Sequence, residues 1–224
     1  MIVVFPGSNC DRDVHFILNT ILKIPAKLVW HTDGKLSDFD AIIIPGGFGE
    51  RGSEGIIKTA NYAREKNIPY FGICFGFQLA AVAFGRYVCG LQNANSTEIA
   101  PKTENPVIDL LPEQKTIENK GGSLRLGSNE IKVDDNTLAL KLYKSNSILK
   151  RHRHRYEFNQ KYLELFNKKG MVFSGYSDNK KRMEILEIPT HRFYLGVQFH
   201  PEFNSRPGFP EASFEAFVNA AVYA

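Results

Sequence analysis

Three side chains in this sequence are suited to nucleophilic chemistry if the fold brings them together: the thiol of Cys74, the imidazole of His200 and the carboxylate of Glu202. Cys74 lies in Ile68-Pro-Tyr-Phe-Gly-Ile-Cys74-Phe-Gly76-Phe-Gln78, a strand pattern followed by G-x-C-x-G and a helix with Phe75, Leu79, Val82 and Ala83 on its apolar stripe. Glycines flanking a residue permit a tight strand-to-helix turn that presents the side chain at the carboxyl end of a sheet. The helix N-terminus behind the turn favours thiolate over thiol. Such a nucleophile needs a proton shuttle. His200 ends the apolar run Leu195-Gly-Val-Gln-Phe199, where a strand would deliver it to the same sheet edge, and Glu202 follows two residues later. In an extended segment residues i and i+2 project to one side, so the carboxylate can hold one ring nitrogen while the other faces the thiol.

Attack on an amide carbonyl creates an oxyanion, which backbone N–H groups stabilise by about 2.7 to 4 kcal/mol per donor. The turn Pro45-Gly46-Gly47-Phe48-Gly49 follows an apolar run and would bring such groups to the same crevice, and the amide of Phe75 comes directly after the nucleophile. Taken singly, each feature has an ordinary explanation. Free cysteines are often core residues, Gly-Gly pairs are often only turns, and a His-Pro-Glu loop is often surface. Their combination is what points to catalysis. Cys10 and Cys89 have no such turn around them and are assigned to ordinary packing. Arg151-His-Arg-His-Arg155 reads as a solvated basic strand. His152 and His154 share one side of it, but no Cys, Asp or Glu at ligand spacing accompanies them, so no metal site is assigned.

The elements that must position these groups are written in the apolar pattern. Short apolar runs at Ile2 to Phe5, Lys27 to Trp30, Ala41 to Ile44 and Ile68 to Ile73 recur between helical stretches, the pattern of parallel strands covered on both faces. Val14, Ile17, Leu18, Ile21 and Leu22 fall on one helix face, as do Ile56, Ile57, Ala60 and Ala63. From about Ser96 to Gly127, Pro101, Pro106, Pro112, Gly121 and Gly122 break the periodicity, and loops with an antiparallel excursion are expected. Runs at Met171 to Tyr176, Met183 to Ile188 and Phe193 to Phe199 suggest an antiparallel meander joining the sheet, before a last helix burying Phe214, Phe217, Val218 and Ala221. The expectation is an α/β fold: three layers, with a mostly parallel sheet, helices on both faces and an antiparallel extension.

At 224 residues and 43% hydrophobic, the chain suits one well-cored domain. A net charge of +4, with its basic run confined to Arg151 to Arg155, gives no case for nucleic acid. The odd count of three cysteines argues against a disulfide framework, and no apolar run approaches the roughly 18 residues of a membrane span. No secretory leader is recognised in front of these cysteines, so the cytoplasm is the expected compartment.

With these residues in hand, the chain resembles the class I glutamine amidotransferases, and most closely the glutaminase domain of the CTP synthases. The matching stretches are Pro45-Gly-Gly-Phe-Gly-Glu-Arg-Gly52, Tyr62-Ala-Arg-Glu65, Gly72-Ile-Cys-Phe-Gly-Phe-Gln78, Ala94-Asn-Ser-Thr-Glu98, Leu124-Arg-Leu-Gly127, Arg151-His-Arg-His-Arg-Tyr-Glu157, Val197-Gln-Phe-His-Pro-Glu-Phe203 and Ser205-Arg-Pro207. The resemblance implies a Cys74–His200–Glu202 triad that hydrolyses L-glutamine through a γ-glutamyl thioester and supplies ammonia to a synthetase. It also implies that Gly46, Gly47, Phe75, Gly76, Phe77 and Gln78 line the glutamine site, and that Glu98 and Arg153 grip the α-amino and α-carboxylate groups. A carboxylate and a guanidinium are the minimal reader of a free amino acid, and they leave no room for a peptide or γ-glutamyl chain.

Residues 1 to about 45 follow another pattern. Val4-Phe-Pro-Gly-Ser-Asn-Cys-Asp-Arg-Asp13 and Val29-Trp-His31 resemble the glutaminase subunit of phosphoribosylformylglycinamidine synthase, in purine synthesis. The chain is therefore expected to be a single domain, 1–224, with a sequence seam near Gly46, natural or engineered. No G-x-x-x-x-G-K-[ST] loop occurs, so no cofactor is expected on this chain, and ATP and Mg would belong to the synthetase. The start at Met1 and the length suit the free-standing purine subunit, which stands as the alternative; an inactive, partner-binding hybrid is the second.

Overall fold

A computed structural model of the chain describes residues 1–111 and 124–222. Each of the four early apolar runs becomes a strand: β1 (Ile2–Val4), β2 (Leu28–Trp30), β3 (Ile42–Ile44) and β4 (Tyr70–Ile73). Short strands β5 (Asn95–Ser96) and β6 (Pro106–Asp109) follow, then the longer β7 (Arg125–Val133) and β8 (Ser147–His154), the two-residue β9 (Glu157–Phe158), and β10 (Val172–Ser177), β11 (Arg182–Glu187) and β12 (Tyr194–Val197). The helices are α1 (Asp11–Phe16), α2 (Ser53–Glu65), α3 (Phe75–Tyr87), α4 (Leu138–Tyr143), α5 (Leu163–Lys168) and α6 (Ala212–Val222).

Among the described residues, nine strands form one sheet in the order β2-β1-β3-β4-β12-β11-β10-β7-β8. Its first half, through the β4/β12 pair, is parallel, and from β11 to β8 it is antiparallel, so the predicted meander does join the sheet. Successive side chains on a strand point to opposite faces, and two cores result. Ile42, Ile44 and Tyr70 pack with α2, α3 and α5, whereas Ile43, Phe71 and Ile73 pack with α1, α4 and α6. The predicted three layers follow. The sheet also runs across residue 46 without interruption, since β3 before it pairs in parallel with β4 after it, Ile43 in register with Phe71 and Ile44 with Gly72.

Three expectations need revising. The first helix does not continue as a regular α-helix to Leu22; it widens into a π-helical turn at Ile17–Ile21. Asn19 secures the chain after it, its side chain donating to His15 and Ala26 carbonyls at 3.2 and 3.1 Å and accepting from the Ala26 N–H at 3.2 Å. Helix α3 has no single buried stripe. Every residue from Phe75 to Gly85 is buried, because α3 is packed between the main sheet, α2 and the small sheet. Finally, part of the irregular middle is that small sheet, β5-β6-β9, with β5/β6 parallel and β6/β9 antiparallel. Pro112, Gly121 and Gly122 lie outside the described residues. In the last helix Phe214, Phe217 and Val218 are buried, while Ala221 is only half-buried. Among the described residues, no helix is long and apolar enough to cross a membrane.

Candidate active site

Strand β4 leads straight into Cys74, whose backbone sits at φ 51°, ψ −96°, outside the regions that L-residues favour. Hydrogen bonds on both sides hold it there. The Cys74 N–H donates to the Val197 carbonyl at 2.7 Å, and its own carbonyl accepts from the Gln78 N–H, opening α3, at 3.1 Å. The flanking glycines are needed for closeness. A Cβ on Gly76 would lie 2.3 Å from the Ile44 carbonyl oxygen, and one on Gly72 would lie 2.7 Å from the Gly76 carbonyl. The Tyr70 hydroxyl, donating to Gly76 O at 2.8 Å, ties the strand to the turn.

On the neighbouring strand's extension, His200 is anchored by its N–H to the Arg151 carbonyl at 2.9 Å. Its Nδ1 is 2.6 Å from Glu202 Oε1, and its ring stacks on Phe203 at 5.4 Å. The pairing arises differently from the extended geometry expected, because Pro201–Asn204 is a 3₁₀ turn with Pro201 at its start. Cys74, His200 and Glu202 are 4%, 3% and 4% exposed. Among the described residues, His200 Nε2 and Glu202 Oε2 are buried without a hydrogen-bond partner. Burial disfavours the imidazolium, but the Cys74 charge, closeness to the Cys10 and Cys74 thiols and the Glu202 carboxylate outweigh it and hold the pKa of His200 above its ordinary value.

Cys10, assigned above to ordinary packing, lies at this centre. Its Sγ, a ring nitrogen of His200 and a carboxylate oxygen of Glu202 are all within 4.8 Å of one another. Burial, with the Glu202 charge adding to it and His200 opposing, pushes its thiol up to about 12. Gly46 makes room: a Cβ there would meet Asn9 Oδ1 and His200 Cε1 at 2.8 Å and Cys10 Sγ at 3.3 Å. Gly47 is confined similarly, with Phe5 ring atoms 2.6 Å from where its Cβ would be.

A cavity of ≈ 340 Å³ opens over Cys74, lined also by Gly47, Gln78, Glu98, Arg153, Arg155 and Tyr156. Glu98 follows β5 and accepts from the Gly49 N–H at 3.2 Å; burial raises its pKa, with that bond and Arg155 opposing. Arg153 is exposed on β8, whereas Arg155 is half-buried with its Nε unpartnered among the described residues. The charge felt by Glu98 is thus that of Arg155, a residue the motif reading passed over. The side chains of Phe75 and Phe77 do not reach the cavity. Phe75 packs on Phe5 and Phe77 on Phe173, and Gly76 faces β3, so these three are not among the residues that line the cavity. A wider hollow of ≈ 780 Å³ over Glu54, Arg86 and Pro101 has no cysteine or histidine in its lining among the described residues.

A family model, "Glutamine amidotransferase class-I", matches residues 13–220. The chain belongs to the class I glutamine amidotransferases. CTP synthase of Archaeoglobus fulgidus is 55% identical over 98% of this amidotransferase and 44% of its own length, and that of a Hydrogenobaculum species is 51% identical over 90% and 39%. The chain spans less than half the length of these relatives. The Archaeoglobus likeness runs through the opening residues that resemble the purine subunit. The glutaminase domain of Trypanosoma brucei CTPS, with bound acivicin, matches at TM-score 0.87 and 32% identity, covering 99% of this chain and 92% of that one. PurLQS from Thermotoga maritima shares the fold, at TM-score 0.62 and 22% identity over 97% and 96% of the two chains.

Beside the amidotransferase site lies a second polar cluster, and it revises the view of the basic strand. On β8 Ser147, Leu149, Arg151 and Arg153 are exposed, whereas Lys150, His152 and His154 point inward. The acid that is missing at local spacing arrives from β11, for His152, His154 and Glu184 place ligand atoms within 4.8 Å of one another. Glu184 is already engaged, however, by His152 Nε2 at 2.9 Å, Ser177 Oγ at 2.6 Å and the Arg125 guanidinium. That arrangement is a fastening of β7, β8, β10 and β11. Burial opposes ionisation of Glu184, but the hydrogen bond and charge of His152, with Arg125, hold its pKa below the ordinary value.

Proposed function

We propose that the chain hydrolyses L-glutamine to L-glutamate and ammonia. Cys74 thiolate attacks the γ-carboxamide carbon; the resulting oxyanion is met by main-chain N–H groups of the Gly46–Gly47 turn and of Phe75. Imidazolium His200, oriented by Glu202, gives its proton to the departing nitrogen, releasing ammonia and leaving a γ-glutamyl thioester. His200 then takes a proton from water, hydroxide attacks the thioester, and glutamate leaves as the thiolate is restored. Glu98 receives the α-amino group, and Arg153 together with Arg155 the α-carboxylate. The single observation carrying this reading is a buried His200–Glu202 pair at 2.6 Å whose remaining ring nitrogen has no hydrogen-bond partner among the described residues, beside a cysteine in a strained turn.

The ammonia serves a synthetase of the CTP synthase type, the activity named for the relatives above. The opening residues keep the purine synthetase as a second reading, because Asn9 and Cys10 from that segment reach the triad. Ammonia release is to be measured with each synthetase added. Cys74→Ala should lower it by more than about 10⁴-fold with either; a variant that still releases ammonia overturns the triad. Acivicin, bound in the Trypanosoma domain, should inactivate the wild type and be kept out by glutamine.

A further inference from the structure

Gln198, two residues before His200, is wholly buried, and no step proposed above uses it. Its neighbours settle which way its amide points. The Tyr156 carbonyl can only accept, so the end of Gln78 that meets it at 3.1 Å is the NH₂. The same Nε2 lies 3.2 Å from Gln198 and requires an acceptor there, which is Oε1. The NH₂ of Gln198 is left at the other end, 3.7 Å from Cys74 Sγ. Each link in the series Tyr156, Gln78, Gln198, Cys74 orients the next.

The backbone holds the donor level with the sulfur. β12 pairs in parallel with β4 in the register Val197↔Ile73, so the residue after β12 stands beside the residue after β4. Gln198 is pinned further by its N–H, which donates to the Glu184 carbonyl at 2.8 Å. An amide donor differs from an imidazole in that it keeps its protons at every working pH. A hydrogen bond to a charged acceptor is also stronger than one to a neutral acceptor.

We propose that Gln198 stabilises the Cys74 thiolate directly, with Gln78 as the residue that locks its amide in the donating orientation. This rests on the reading of Cys74 as nucleophile. A thioester sulfur is a poorer acceptor than a thiolate, so the bond weakens on acylation and strengthens again as water expels the sulfur. Gln78 is thereby given a task beyond lining the substrate cavity: both polar contacts of its Nε2 are to groups of this chain.

The test uses the full chain as wild type, Gln198→Leu, Gln198→Glu and Gln78→Met. Alkylation of Cys74 by iodoacetamide is followed against pH, with the modified peptide identified by mass so that Cys10 and Cys89 do not contribute. The other charged or titratable groups around the sulfur, His200, Glu202 and Cys10 on one side and Glu98, Arg153, His154, Arg155 and Tyr156 across the cavity, are unchanged in every variant. Gln198→Leu should move the rate profile up by about one pH unit, with about tenfold slower alkylation below the midpoint and equal rates above it. Gln198→Glu should move it further, because a carboxylate replaces the donor. Gln78→Met should shift it less, in the same direction. With a synthetase added, kcat of the Gln198→Leu protein should fall while its KM for glutamine changes less than about twofold. A folded Gln198→Glu protein with the wild-type profile overturns the proposal. If neither Gln198 variant folds, an unshifted Gln78→Met profile does so. The alkylation shift needs no turnover: seen in a chain that never releases ammonia, it upholds this role while the hydrolysis reading falls.

Discussion

Two buried histidine–carboxylate pairs lie in the same half of this molecule and end in opposite ways. In the pair His152–Glu184, at 2.9 Å, both ring nitrogens face acceptors and both carboxylate oxygens are engaged, by Arg125 and Ser177 on one side and His152 on the other. In the pair His200–Glu202, at 2.6 Å, one ring nitrogen and one carboxylate oxygen have no partner among the described residues. A closed network can only hold strands together. An open one keeps a polar group unsatisfied beside Cys74, which costs stability and leaves that group available for chemistry.

That contrast can be broken from either side. Glu202→Gln retains the shape but lets the imidazole take the wrong tautomer, and glutamine hydrolysis should fall by about 10⁴-fold with the urea midpoint little changed. The measurement pairs ammonia release with urea unfolding, and a large fall in midpoint would mean that this pair too is structural. Glu184→Ala leaves Arg125 and His152 buried against an empty site, which should destabilise the fold by about 3–5 kcal/mol. Urea unfolding should then show a lower midpoint at an unchanged slope. A Glu184→Ala protein of wild-type stability would remove the distinction drawn here.

The two pairs were also unequally legible. His200 and Glu202 are near in sequence, follow an apolar strand and could be paired by spacing alone, although Pro201 turns the segment into a 3₁₀ turn. Glu184 reaches His152 from 32 positions away, through the β11-β10-β7-β8 side of the sheet, and no local pattern announces it. The parallel strands could be seen because burial on both faces writes uninterrupted runs such as Ile42 to Ile44. The small sheet was obscured because β5 and β9 have only two residues each, too few for any period. Cys10 escaped for a related reason. It stands in a left-handed backbone conformation at the head of α1, and only the folded approach of Gly46 to His200 brings it to His200 and Glu202.

The smallest effect sharpens the contrast within the closed network. Beside it, Glu157 is buried against Arg182 and His154, and its Oε2 has no partner among the described residues. Burial, then the charge of Glu184, pushes its pKa from 4.5 up to about 8, against the pull of Arg182 and Arg125. The folded state thus binds a proton more tightly than the unfolded state does. The stability this confers is complete below the unfolded value and is lost as pH rises through the folded one. The contribution of Glu157 to the unfolding free energy should therefore decline between roughly pH 5 and 8 in the wild type. Gln at this position carries no titrating proton, so Glu157→Gln should flatten that slope while changing stability at pH 5 by less than about 1 kcal/mol. The check is urea unfolding at several pH values. Equal slopes in the two proteins would mean that Glu157 is ionised in the fold and that its pairing with Arg182 closes the network completely.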